Sequence, residues 1–346
     1  MTRSALLVAC FALLPAAVAQ DLQLSCRLEP ETVPVGGRME AVVSLANVSS
    51  QAIELPLLAF DRQLVSLEVQ LAGGEPFAYE RIHPSSYQPR VDWPRAQLGP
   101  GEKWEHRIGI PALKVGAVQV TAHLAWLARL ELSGIKPLVD PLKSSTATGT
   151  VTPDAKGNDT VEWRMVTAYG PMRARLFVDL APGTCLHMAE LVMAGKDASE
   201  GGLVRPGFFD GLTFHRVIPS FMIQGGDPEG TGMGGPGYSI PGEQKDAPVP
   251  DQAKHLSGRL SMAKSSIQSA TPAQNKDSGG SQFFVCTGAP THLDGLHVVW
   301  GELVRGHDVA DTITRVPTTE MPGGEQSRPI NPVIIRSARI VPTKAR

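Results

Sequence analysis

The chain has 346 residues, 42% of them hydrophobic and 19% charged, with 35 Gly and 29 Pro. That length exceeds one ordinary core and suits two domains of about 150 residues each, and so much Gly and Pro favours many strands and turns over a helical bundle. With 32 basic against 34 acidic residues the net charge is -2, so there is no basic field to draw in nucleic acid or an anionic membrane.

In chain order, Arg3, an apolar stretch over 5–14, Pro15 and the small tripeptide Ala17-Val18-Ala19 have the layout of a secretory signal peptide, residues 1–19, cleaved after Ala19. A membrane anchor is the rival, but the stretch is short of the roughly 20 apolar residues a span needs. Leu7-Val8-Ala9-Cys10 is similar to a bacterial lipobox, yet the apolar stretch runs on past it. Cleavage leaves no membrane span and three cysteines, Cys26, Cys185 and Cys286, an odd and scattered set that implies no disulfide framework. Cys286, after Phe283-Phe284-Val285, reads as a small buried residue.

Residues 20–151 alternate short apolar runs with turn residues. Strands are expected at 39–47, 52–55, 104–110 and 115–124, and together they argue for an antiparallel β-sandwich. The pattern resembles bacterial immunoglobulin-like modules, in which a Gly turn leads into a strand ending near Asn-x-Ser. The Cys…Trp…Cys spacing of immunoglobulin domains is absent. Trp93, Trp104 and Trp126 suit an exposed binding surface or, for at least two of them, the core, and no partner for this domain can be named. Residues 152–158 form the linker and 159–346 the second domain. There, runs at 161–168 and 172–179 flank the turn Tyr169-Gly170-Pro171 as a hairpin. A helix follows, with Thr184 as N-cap and Leu186, Ala189, Leu191 and Val192 on one face.

Residues 214–227, FHRVIPSFMIQGGD, read as two strands hinged on Pro219-Ser220 and stopped by Gly225-Gly226. Alternation puts Arg216, Met222 and Gln224 on shared faces with apolar neighbours, which makes a polar-tipped apolar site. Arg216 reads equally well as a surface arginine snorkelling its stem.

Further on come GTG at 230–232, LSMA at 260–263, GSQFF at 280–284 and LDGLHVVWG at 293–301. In this order, over roughly 159–341, the blocks resemble the cyclophilin family of peptidyl-prolyl cis/trans isomerases. The resemblance implies a mainly β fold: a closed eight-stranded antiparallel barrel capped by two helices, here behind the β-sandwich, with the active groove on its outer surface and no cofactor or metal. The family positions matching Arg216, Phe221, Met222, Gln224, Ala263, Gln282, Phe284, Leu293 and His297 line that groove. By the same resemblance Phe221, Met222, Phe284 and Leu293 hold a proline ring, Gln224 and Gln282 bond the substrate backbone, and Arg216 acts on the amide. The expected partners are proline-containing polypeptides. With the signal peptide this makes a bacterial foldase for exported chains, periplasmic or extracellular. His292 stands where the best-known eukaryotic members carry Trp, a contact for cyclosporin. Lys264 replaces a common Asn, and the connection 265–279 is longer than usual. These departures leave open a non-catalytic peptide-binding module.

Three rival motifs point elsewhere, each on thinner grounds. Gly230-x-Gly232-x-x-Gly235 is followed by Pro236 and Pro241 and opens no helix, as a dinucleotide loop must. Ser261-x-x-Lys264 lacks the partner motifs of penicillin-recognising enzymes. His292-x-Asp294-x-x-His297, with His215, His255 or His307, could ligate a metal and would suit a metal-dependent hydrolase, but hydrogen-bonded and exposed histidines account for the same residues more simply.

Overall fold

A computed structural model describes residues 21–56, 65–81, 95–124, 142–193, 207–246, 248–264, 276–321 and 323–345. The expected signal peptide, Trp93, Trp126 and most of the 265–279 connection lie outside the described residues.

In the N-terminal half, β1 (Leu22–Glu29), β3 (Arg38–Asn47) and β8 (Lys103–Pro111) form one antiparallel sheet. A second sheet has the order β2 (Thr32–Pro34), β10 (Ala147–Thr152), β9 (Gly116–Leu124), β5 (Val65–Leu71) and β6 (Phe77–Tyr79), with β2 parallel to β10. Two short strands, β4 (Ile53–Pro56) and β7 (Arg95–Leu98), pair separately. Alternation decides which side chains face inward: Met39, Ala41, Val43 and Leu45 of β3 share one core with Val65, Leu67 and Val69 of β5 and with Val118, Val120 and Ala122 of β9. Trp104 is half-buried against that core. The Asn47-Val48-Ser49 signal is a local turn. The buried Asn47 amide accepts from the Ser49 backbone and hydroxyl at 2.9 and 2.8 Å and donates to Leu98 O at 2.8 Å, an alternative to ladder pairing that suits Asn.

The C-terminal half closes eight antiparallel strands into a barrel. They run around it in the order β11 (Thr160–Thr167), β12 (Gly170–Leu176), β17 (Val299–Arg305), β15 (Arg259–Lys264), β16 (Gly279–Cys286), β14 (Met222–Asp227), β13 (Thr213–Ile218) and β20 (Val333–Thr343). Closure leaves no free edge and a filled interior. Trp163 is the centre of that filling, with its ring 5.0 Å from Trp300, 4.9 Å from Phe283 and 5.4 Å from Phe209. A hairpin, β18 (Thr318–Glu320) and β19 (Gln326–Pro329), lies against β13. Two α-helices occur among the described residues, α1 (Pro182–Met193) and α2 (His307–Ile313), and none is long and apolar enough to cross a membrane.

Helix α1 departs from expectation in two ways. It starts at Pro182, which suits the first helical position because its missing N–H would be unpaired there anyway. Thr184 therefore lies inside the first turn, not at the cap. The orphan donors are met from a distant loop: Glu243 accepts from Gly183 N at 3.0 Å, Thr184 N at 2.7 Å and Thr184 Oγ1 at 2.6 Å, a carboxylate at the positive end of the helix. Nor does α1 show one apolar face, because every residue from Gly183 to Val192 is buried. The reason is that α1 is covered on both sides, by β20 of the barrel and by β6 and β8 of the N-terminal half. Its three buried polar residues, spaced by three, each have a partner, as burial demands. Thr184 has Glu243, His187 reaches Gly280 O at 3.0 Å, and Glu190 takes a bidentate bond from Arg38, Nε at 3.1 Å and Nη2 at 2.7 Å.

That last pair ties the two halves together. Gly109 of β8 lies directly beneath it, where any side chain would run into both partners. Lys114 adds a bond to Asp179 at 2.9 Å, and the Arg81 guanidinium sits 4.6 Å from the centre of the Tyr238 ring. Replacing Arg38 by Ala leaves the Glu190 carboxylate, whose side chain is only 5% exposed, without its counter-charge. We expect Arg38→Ala to lower unfolding free energy by about 1–2 kcal/mol in urea titrations, a value reduced for the partial solvation of the guanidinium. Glu190→Gln should cost less than Arg38→Ala, and an unchanged urea midpoint for Arg38→Ala would contradict this role.

Candidate functional site

The candidate site grows from strand alternation on three neighbouring barrel strands. Along β16, Phe283 and Val285 point into the barrel core, so Gln282, Phe284 and Cys286 must point out. Across from them on β14, Ile223 is in the core, while Met222 and Gln224 face outward with Gln224 opposite Phe284. Met222, Ala263, Phe284 and Cys286 form an apolar cluster separate from the barrel core, flanked by Ile218, Phe221 and Leu293. Burial pushes the Cys286 thiol up to about 12, so it is an inert floor residue, as expected for a small buried cysteine.

Arg216 joins this surface through an irregularity. Phe214 pairs with Gly225 and Arg216 with Gln224, so His215 is an extra residue on β13, a bulge that re-aims the remainder of the strand. Arg216 thereby stands beside Gln224 with Nη1 3.4 Å from its Oε1 and 3.9 Å from Met222 Sδ. Its Cζ is 5.7 Å from the centre of the Phe221 ring. The turn from β13 to β14 carries Ser220 at φ 58°, a left-handed conformation uncommon for a residue other than glycine. The backbone of Gly288 packs so closely against Ser220 that no side chain would fit there. Thr287 N donates to Phe221 O at 2.9 Å, which pins Phe221 over the groove.

The polar members are ordered as a relay. Gln224 Nε2 donates to Gln282 Oε1 at 2.9 Å, and Gln282 Nε2 donates to the carbonyls of Gly232 and Gly234 at 3.0 and 2.8 Å. At Gln224 the amide has an acceptor for one hydrogen and a second donor hydrogen left over. His297 closes the other end: Nδ1 contacts Met262 O at 2.9 Å and the ring stands edge-on to Phe284 at 5.7 Å. Burial holds its imidazole below the ordinary histidine range. Leu293 and His292 come from a 3₁₀ turn, Thr291–Leu293, with the exposed His292 ring 6.0 Å from Phe221 at the rim. Lys264 follows Ala263 at the end of β15, its amine lowered from the usual range by partial burial. All ten residues singled out from the sequence thus lie on one stretch of outer wall.

Two supports escape a reading of the sequence. Behind Phe284, the fully buried His255 ring stacks parallel to it at 5.9 Å. His255 Nδ1 contacts Asp294 Oδ1 at 2.8 Å, and Nε2 lies 3.0 Å from Ser261 Oγ, which also donates to Val298 O at 3.1 Å. The Ser-His-Asp arrangement has the look of a hydrolase triad, but Ser261 has no exposure at all. Instead the arrangement locks the loop bearing Leu293 to the wall bearing Phe284, and among the described residues no group of three or more His, Cys, Asp or Glu could hold a metal ion. The second support is Glu325, which accepts from Arg216 at Nε and at Nη2. No local spacing links it to Arg216, 109 positions away.

The first donors of the Gly230–Gly235 loop are also spent on the protein itself. Asp227 accepts from Glu229 N at 2.8 Å, Thr231 N at 2.9 Å and Gly232 N at 2.5 Å. A carboxylate of the protein already sits where a phosphate would have to.

Comparison with known proteins adds to this geometry. The family model described as cyclophilin type peptidyl-prolyl cis-trans isomerase/CLD matches residues 163–340. A peptidyl-prolyl cis-trans isomerase of Synechococcus elongatus is 45% identical over 136 residues, covering 39% of this chain and 75% of that one. Peptidyl-prolyl cis-trans isomerase B of Bacillus subtilis is 42% identical over 139 residues, covering 40% of this chain and 80% of that protein. Peptidyl-prolyl cis-trans isomerase-like 2 of Cryptococcus neoformans is 38% identical over 178 residues, which span 51% of this chain but only 27% of that longer protein.

Behind Gln282, His187 braces the Gly280 carbonyl and meets the Tyr238 ring edge-on at 5.5 Å. Burial first, and then the Arg81 charge, hold its pKa down at about 3. Its folded value lies below the unfolded one of about 6.5, so the unfolded chain binds the extra proton. Stability is then fully present above about pH 6.5 and is lost as pH falls toward 3. Urea unfolding between pH 6 and 4 should show a decline that is shallower in His187→Gln by up to about 1.4 kcal/mol per pH unit; identical slopes would contradict the assignment.

Proposed function

The chain belongs to the cyclophilin-type peptidyl-prolyl cis-trans isomerase family, and from that premise we propose that its outer groove isomerises X-Pro bonds in exported polypeptides. The observation that carries this reading is the Nη1 edge of Arg216 standing at the mouth of an apolar pocket, with two side-chain amides ranged beside it.

The chemistry asks for little more. Rotation about a peptide bond meets a barrier of about 18–20 kcal/mol from amide resonance, and an X-Pro bond turns over in tens to hundreds of seconds unaided. In the proposed mechanism the proline ring packs on Phe284, Met222 and Leu293, with Phe221 above and Ala263 at the side. Gln224 and Gln282 bond the substrate backbone and hold one side of the bond while the other turns. His297 and His292 bound the pocket at its two ends. As the amide twists, its nitrogen becomes pyramidal and its lone pair localises. An Arg216 N–H directed at that nitrogen favours the twisted state over both planar ones, which is the differential binding that catalysis requires. Exclusion of water by the apolar walls strengthens that hydrogen bond. No nucleophile and no proton transfer is involved.

Export rests on the Arg3, apolar and Ala17-Val18-Ala19 pattern at the N-terminus, and it gives the foldase role its setting in a bacterial envelope or outside the cell. The second reading, a peptide-binding module without turnover, rests on Lys264 after Ala263 and on the long connection that follows it.

A protease-coupled assay on a short Ala-Pro peptide separates the two. The full chain should accelerate isomerisation, and Arg216→Ala should lower kcat/KM by about 10²–10³-fold, the usual cost of one transition-state donor, while peptide binding persists. Rates in both proteins no faster than buffer would leave the binding module. For export, N-terminal sequencing of the protein secreted by a bacterial host should begin at Gln20. A mature chain beginning at Met1, or at a lipid-modified Cys10, would contradict it.

A further inference from the structure

An arginine has five N–H donors, and in Arg216 two of them are committed outside the groove. Nε donates to Glu325 Oε1 and Nη2 to Glu325 Oε2, each at 2.6 Å. The carboxylate is itself tethered. Ser327, fully buried, donates its hydroxyl to Glu325 Oε1 at 2.6 Å, and Met321 N donates to Glu325 O at 2.9 Å across the β18–β19 hairpin. Arg216 holds the Glu325 carboxyl down at about 2, so that carboxylate stays charged at any physiological pH.

We propose that Glu325 is a positioning residue for the isomerisation: by gripping the Nε and Nη2 edge of Arg216 it turns the Nη1 edge toward the groove. A two-point fork fixes the plane of the guanidinium as well as its place. The edge that remains is the one beside Gln224 Oε1 and Met222 Sδ, at 3.4 and 3.9 Å. Without Glu325, Arg216 would be a long side chain with 27% exposure, tied to the groove by those two long contacts and the Phe221 ring at 5.7 Å, and free to sample several rotamers. The charge of Glu325 also subtracts from the positive potential at the prolyl nitrogen, but its own 43% exposure lets solvent screen that effect. Orientation therefore outweighs it. The proposal rests on the isomerase reading of the groove. It deepens that reading by adding a residue that neither touches the peptide nor belongs to the strands that form the site.

The test compares the full-length protein with Glu325→Ala and Glu325→Gln, using the same Ala-Pro peptide and nitrogen-edited spectra of the Arg216 Nε–H group. Ordering one rotamer-rich side chain in advance corresponds to about a three- to tenfold effect. Glu325→Ala should therefore lose about three- to tenfold in kcat with KM nearly unchanged, and the slowly exchanging Nε–H signal of the wild type should broaden. Glu325→Gln keeps one acceptor and should fall between. Raising salt to about 1 M should slow the wild type toward Glu325→Ala and leave that variant unaffected. A kcat for Glu325→Ala equal to or above wild type, or a loss confined to KM, would overturn the proposal. A wild type without turnover overturns the isomerase reading instead, and the Nε–H signal would still report whether Glu325 holds the guanidinium.

Discussion

Closing eight strands around Trp163, Trp300 and Phe283 leaves every strand with a second face outside, and on β14 and β16 that face is apolar where a soluble protein would ordinarily be polar. The interior has room for one set of side chains and no more. Period-two alternation therefore sends Phe284 and Met222 outward as surely as it sends Phe283 and Ile223 inward. The groove is a by-product of that division. Its apolar floor is rigid because the residues between its members are locked into the barrel core, and the turn at Ser220 with the bulge at His215 does the remaining aiming.

The same division accounts for where the polar groups stand. Gln224 and Gln282 are outward residues two places from Met222 and Phe284, so each amide emerges next to an apolar side chain of its own strand. Histidines fill supporting places, each with its own surroundings: His255 behind Phe284, His297 at the end of the pocket, His187 behind Gly280. The last of these reaches the N-terminal half through Tyr238 and Arg81. With the Arg38–Glu190 fork, these contacts make helix α1 a shared wall between the two halves. Among the described residues, the Arg38, Lys114 and Arg81 contacts that join the two halves reach the barrel through α1, Asp179 and Tyr238 and not through the groove residues.

Much of this was legible in the residues and some of it was not, for physical reasons. FHRVIPSFMIQGGD alternates enough to show two strands with Arg216, Met222 and Gln224 on shared faces, GSQFF entered through the family resemblance, and local turn chemistry marked four of the ten strands described in the N-terminal half. The bulge at His215 was not legible, since nothing in the run marks which residue is unpaired. Thr184 has the chemistry of an N-cap, but Pro182 begins the helix earlier and Glu243, far along the chain, does the capping. A one-faced α1 was expected because a helix on a barrel needs only one dry side, and the second sheet that buries its other side cannot be seen from the helix itself. Glu325 and the His255–Asp294–Ser261 brace are contacts between distant segments, which no local period or propensity encodes.

The central claim is that the outward-facing apolar set on β14 and β16 is where a proline ring sits, with Arg216 at its amide. The most direct measurement is a set of intermolecular nuclear Overhauser effects between an Ala-Pro peptide and the isotope-labelled full-length protein. The account predicts contacts from the proline ring hydrogens to the Met222 methyl and the Phe284 ring, and none to residues of the barrel interior or the N-terminal sheets. Contacts centred anywhere else on the molecule would contradict it.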